Sequence, residues 1–74
     1  MIIVRITWLD SAAAHNRPWI ADNETVRALK CSSVGFLIEK NRREVIIAQS
    51  LNANQRGNVY AIPTSSIRKM RRLK

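Results

Sequence analysis

Ser33-Val34-Gly35-Phe36-Leu37-Ile38-Glu39, then Lys40-Asn41-Arg42, then Glu44-Val45-Ile46-Ile47-Ala48-Gln49-Ser50 is the stretch that decides the fold. Val34, Phe36 and Ile38 alternate with Ser33, Gly35 and Leu37, the period of a strand. The polar Lys40-Asn41-Arg42 interrupts the pattern as a turn does. Val45, Ile46 and Ile47 then resume an apolar run too dense to alternate cleanly. The reading is a β-hairpin, with strands over residues 31–39 and 44–50. Gly35 inside the first of them marks a bulge or a close approach of another backbone.

Outward from the hairpin, residues 2–9 read as another strand, with Ile2, Val4, Ile6 and Trp8 in one phase and Ile3, Arg5, Thr7 and Leu9 in the other. Between them, residues 10–30 break the pattern. Asn16-Arg17-Pro18 is a turn signal. Asp22 or Asn23 suits the cap of a one- or two-turn helix over Glu24–Leu29. On the C-terminal side, residues 52–58 form a polar loop and Val59–Ile62 a short strand stopped by Pro63. Thr64-Ser65-Ser66 makes a tight turn. The last segment stays open: Ile67, Met70 and Leu73 recur every third residue, as in a helix, whereas the order of elements asks for a strand.

The chain is 74 residues long, which predicts one domain over residues 1–74. At that size a domain buries only about 60% of its unfolded surface. Cys31 is the single cysteine, so no internal disulfide staples the fold. An apolar fraction of 46% argues against a disordered basic tail. No targeting segment is visible, and no apolar run approaches the roughly 18 residues of a membrane span.

Charge is the strongest functional signal. Lys and Arg number 13 against 5 Asp and Glu, a net charge of +8. Nine of the thirteen are arginine, which holds phosphate and carboxylate bidentately. Arg68, Lys69, Arg71, Arg72 and Lys74 crowd the last seven residues, and Lys40, Arg42 and Arg43 the mid-chain turn. These eight are the expected contacts to a polyanion or an acidic protein surface. Trp8 is in phase with the core. Trp19, after Pro18, is either a loop anchor or an exposed residue that stacks on a base or fills a partner's pocket. With only four aromatic residues, two of them read as core, sequence-specific reading of single strands is not expected, and non-specific nucleic-acid binding is.

Catalysis and cofactors have little to stand on. Cys31 and His15 lie sixteen positions apart and offer no metal-ligand cluster. A nucleophilic pair of these two, oriented by Asp10, lacks any supporting pattern. Cys31 reads as a small packed residue and His15 as a loop residue. Gly35 and Gly57 are isolated, so no phosphate-cradling loop exists. Glu39 and Glu44 flank the basic turn and balance it rather than form an acid–base pair. The expectation is therefore a non-enzyme without metal or cofactor. The alternative to nucleic acid is a protein partner, or a second copy, docking on the apolar rows Ile3/Leu9 or Ile46. A basic C-terminal segment this short would anchor poorly on a membrane.

Two resemblances follow from these residues. The order of strand, long loop, hairpin, short strand, tight turn and last strand, with Tyr60-Ala61-Ile62-Pro63-Thr64-Ser65-Ser66-Ile67 at the turn, resembles a small SH3-like barrel, or its Sm-like relative. It implies a mainly β, five-stranded barrel with a long loop after the first strand and at most one short helix. Separately, Trp8-Leu9-Asp10-Ser11, Ser33-Val34-Gly35-Phe36-Leu37, Ala48-Gln49-Ser50 and Ile62-Pro63 resemble short proteins encoded by bacteriophages and prophages. That likeness implies a setting in the cytoplasm of a bacterial host and no particular chemistry. Signalling SH3 domains use clustered aromatics and an acidic loop for proline-rich ligands. This chain has neither, so such ligands are not expected.

Overall fold

The computed structural model describes residues 1–11 and 19–74. His15 and the Asn16-Arg17-Pro18 turn fall outside the described residues. Five strands follow in order: β1 (Ile3–Asp10), β2 (Leu29–Lys40), β3 (Glu44–Leu51), β4 (Arg56–Pro63) and β5 (Ile67–Arg72), with a 3-10 turn at Thr64–Ser66 between the last two. They form one antiparallel sheet in the order β4-β3-β2-β1-β5. No ladder joins β4 to β5, so the sheet is open at that seam. Yet Pro63 ends one edge strand and Ile67 begins the other, only a 3-10 turn later. The sheet must therefore curl until its two edges approach at this corner.

Three local features let it curl. Ile38 is an extra residue in β2, because the register steps from Leu37↔Ile47 to Glu39↔Ile46. Arg68 is an extra residue in β5, because it steps from Thr7↔Lys69 to Trp8↔Ile67. Bulges of this kind bend the strand and increase its twist. Third, Gly35 lies against β3, where an added Cβ would stand 2.8 Å from the Ala48 carbonyl oxygen and 3.2 Å from Ile47 Cβ. Gly35 is thus a site of close backbone approach, one of the two roles open to it in the sequence.

The Arg68 bulge also resolves the last segment. Residues 67–72 are a strand. The extra residue lets Ile67 and Met70, three apart, both pack against the core. Leu73 belongs to the opposite face: its N–H donates to the Ile3 carbonyl at 2.7 Å, one register step beyond Val4↔Arg72. The three-residue spacing that suggests a helix is a bulge followed by ordinary alternation.

The concave side of the sheet holds the core: Val4, Ile6, Val45, Ile47 and Ile62, with Ile2, Trp8, Leu37, Ile67 and Met70 packed around it. All five fully buried members are aliphatic, and β-branched residues suit a pleated surface. Trp8 is half-buried and donates its indole N–H to Ser33 Oγ at 3.0 Å. No aromatic residue is fully buried. Phe36 is half-buried, Tyr60 is 48% exposed and Trp19 is 87% exposed.

The expected short helix over Glu24–Leu29 does not form. Residues 24–28 have no regular structure and Leu29 opens β2 opposite Asp10. A helix of one or two turns needs tertiary contacts to persist, and Val26 and Leu29 are left 42% and 55% exposed. Asparagines organise two of the hairpin turns. Asn41 Oδ1 accepts from the N–H groups of Arg43 and Glu44, and Asn52 Oδ1 from those of Asn54 and Gln55. The second turn is shorter than the sequence suggests, because β4 begins at Arg56 rather than Val59.

Candidate functional site

Strand alternation sorts the basic residues by face. On β1, Val4 and Ile6 point to the core, so Ile3, Arg5, Thr7 and Leu9 point outward. On β5, Lys69 stands opposite Thr7 and Arg71 opposite Arg5. Arg5 stands in turn opposite Val34 of β2. The outer face of β5-β1-β2 therefore carries a row Arg71–Arg5–Val34 and, one step along, a row Lys69–Thr7. All three cations and Val34 are exposed.

Directly opposed residues on one face of a sheet have Cβ atoms about 4.5–5.5 Å apart, and like charges there are destabilising. Arg5 and Arg71 are such a pair. β5 holds no acidic residue, and the acidic member of β1, Asp10, is five residues beyond Arg5 at the far end of the strand. The arrangement costs stability and concentrates positive charge on one face.

The other predicted contacts form a second cluster at the closing corner. The Thr64 N–H donates to the Arg43 carbonyl at 2.9 Å, and Thr64 Oγ1 to the Asn41 carbonyl at 3.4 Å, which ties the Lys40–Arg43 turn to the 3-10 turn. Lys40 lines one depression with Val45, Thr64, Ile67 and Met70. Arg68, the bulge residue, donates from its guanidinium to the Ser65 carbonyl at 3.2 Å. The mid-chain basic turn and the start of the C-terminal basic strand, about 25 residues apart in sequence, thus meet at one corner. Arg42 and Arg43 are exposed on the turn.

Arg72, opposite Val4, and Lys74, whose carbonyl accepts the Ile3 N–H at 2.9 Å, extend the charge along the β5 edge. Trp19 is exposed on its loop and belongs to neither cluster by any contact described. Arg5 was missed as a candidate. Its signal is its phase: the lone cation of β1, in the outward register with Ile3, Thr7 and Leu9.

The outer face has an apolar row beside the cationic one. Register links Ile3↔Phe36, Phe36↔Ala48 and Ala48↔Val59 across four strands, and Leu73 extends the row next to Ile3. Ala48 is fully buried although it lies on this face, outside the core cluster.

Glu39 Oε2 accepts from the Asn41 side-chain amide, so this carboxylate helps to shape the basic turn. Cys31 is half-buried opposite Trp8, its thiol 3.8 Å from the Leu29 carbonyl. Among the described residues, no three His, Cys, Asp or Glu side chains group as metal ligands. No helix among them is long and apolar enough to cross a membrane. No family model, curated protein or solved structure matches this chain.

Proposed function

We propose that this chain is a non-catalytic binding module that contacts nucleic acid through its basic sheet face, largely without sequence preference. The single observation that carries this reading is the juxtaposition of Arg5 and Arg71, with Lys69 beside them, on one exposed face. Like charges placed opposite each other are a standing cost to the fold. A phosphate backbone relieves that cost on binding, and arginine suits phosphate geometry. Arg72, which pairs with core-facing Val4 on the other side of the strand, adds charge at the same sheet edge with Lys74, and the corner formed by Lys40, Arg42, Arg43 and Arg68 supplies further positive field.

The strand order and the 3-10 turn before the last strand support an SH3-like or Sm-like barrel as the fold family. The sequence likeness to phage and prophage products supports a role inside a bacterial host.

A second reading sets the same cations against an acidic protein surface or a second copy of the chain. It is favoured by an exposed apolar residue beside the charge, Val34 at 46% opposite Arg5. The deciding test is fluorescence anisotropy of labelled DNA and RNA at low and physiological salt. Nucleic-acid binding predicts affinity that falls with salt, with a log–log slope of about 0.9 per phosphate neutralised on duplex DNA. Arg71→Glu combined with Arg72→Glu abolishes it whatever the probe sequence. No binding at low salt rejects the reading and leaves the protein partner.

A further inference from the structure

We infer that the preferred ligand of the outer face is single-stranded nucleic acid, with Phe36 as the surface on which a base stacks and Arg5, Arg71 and Lys69 as the phosphate contacts. The inference rests on the nucleic-acid reading above and narrows it.

The count of aromatics argues the other way, because a small protein with four of them is expected to spend two on its core. Their placement reverses the argument. The fully buried core is aliphatic, Trp8 is the one aromatic packed against it, and Phe36 is not part of that cluster. Phe36 lies on the outer face, flanked in its row by Ile3 and by Ala48. Ala48, the next residue in the row, is fully covered by its neighbours, whereas Phe36 keeps part of its surface accessible on the face that carries the cations. A duplex hides the faces of its bases and has no use for such a surface. A single strand presents them, and stacking tolerates any base.

Spacing agrees with the assignment. Lys69 and Arg71 are two residues apart on one strand, about 6.7 Å along it, which is close to one phosphate step of an extended single strand. Arg71 and Arg5 sit side by side across the ladder. Arg5 and Phe36 belong to neighbouring rows, since Arg5 pairs with Val34 and Ile3 with Phe36. One nucleotide can therefore place its phosphate on the arginines and its base on the apolar row.

The test uses the full chain, a labelled single strand of about 12 nucleotides and a duplex of the same length. The variants are Phe36→Leu, which keeps apolar bulk without the ring, and Arg5→Ala. Thermal melts confirm that each is folded. The expected result is tighter binding of the single strand than of the duplex by wild type. Phe36→Leu then loses about 5- to 150-fold on the single strand, the span of base–aromatic stacking, and essentially nothing on the duplex. Arg5→Ala weakens both. Duplex binding equal to or tighter than single-strand binding, or an equal loss on both probes in Phe36→Leu, overturns the single-strand inference and leaves polyanion binding standing. Absence of binding to either probe at low salt overturns both.

Discussion

Arg5 and Arg71 stand directly opposite each other across the β1–β5 ladder, side chains on the same exposed face. Exchanging one charge separates fold from function. Arg71→Glu converts a repulsive pair into an attractive one and raises stability by about 0.2–1 kcal/mol. The same variant removes a phosphate contact and sets a carboxylate in the track. Denaturant melts should move up while nucleic-acid affinity falls. A variant that loses stability as well would show that Arg71 holds the strand in place by its packing.

Gly35 meets the backbone of β3. Gly35→Ala drives a methyl into the Ala48 carbonyl, 2.8 Å from the ideal Cβ position, and backbone cannot swing aside as a side chain can. The expected loss is about 1–3 kcal/mol, the usual range for overpacking. It would be read as a lower denaturant midpoint. An unchanged midpoint would mean that the two strands part at little cost.

The bulge at Arg68 sets the phase of β5. Arg68→Ala keeps the bulge and should change stability by less than about 0.5 kcal/mol, as for most exposed substitutions. Deletion of Arg68 removes the extra residue. Either Ile67 or Met70 must then leave the core side, since a one-residue slip moves side chains to the other face. The deletion variant should lose its cooperative melt, whereas Arg68→Ala retains it.

Asn41 accepts two backbone N–H bonds with one side-chain oxygen, and its carbonyl receives Thr64 Oγ1. Asn41→Ala removes the first two and should cost about 1–2 kcal/mol. Asn41→Asp keeps both acceptors and should retain most of the stability. A loss in Asn41→Asp equal to that in Asn41→Ala would indicate that the donor to Glu39, not the turn acceptor, matters more.

Ile47 is fully buried at the centre of the aliphatic core. Ile47→Ala should cost about 2–5 kcal/mol, comparable with the whole stability of a domain this small. Circular dichroism of that variant should report a largely unfolded chain at ambient temperature.

Strand content was legible wherever one residue in two was apolar: residues 2–9 and the 31–39/44–50 hairpin match β1, β2 and β3 to within two residues at each end. The last strand was not, because a bulge mimics helical spacing, and a bulge is stabilised by the partner strand rather than by its own residues. The helix over 24–29 failed for the same kind of reason. Local signals proposed it, and no surface was there to receive Val26.

The candidate site divides along this line too. Its charge is a property of composition, and the crowding of Arg68, Lys69, Arg71, Arg72 and Lys74 is visible in any reading of the chain. That Arg5 completes the row is a matter of register, decided by which β5 residue β1 meets. The placement of Phe36 on the outer face, half-buried, has the same origin, since a ring reads as core until the fold shows which face it takes. Alternation and charge are carried by neighbouring residues, and they are enough to specify a small, basic β domain built on a hairpin. Which cations share a surface, and that Phe36 lies on the outer face while Trp8 packs against the core, was set by long-range pairing. Those outcomes depend on pairings between residues some 30 to 70 positions apart, which no local pattern encodes.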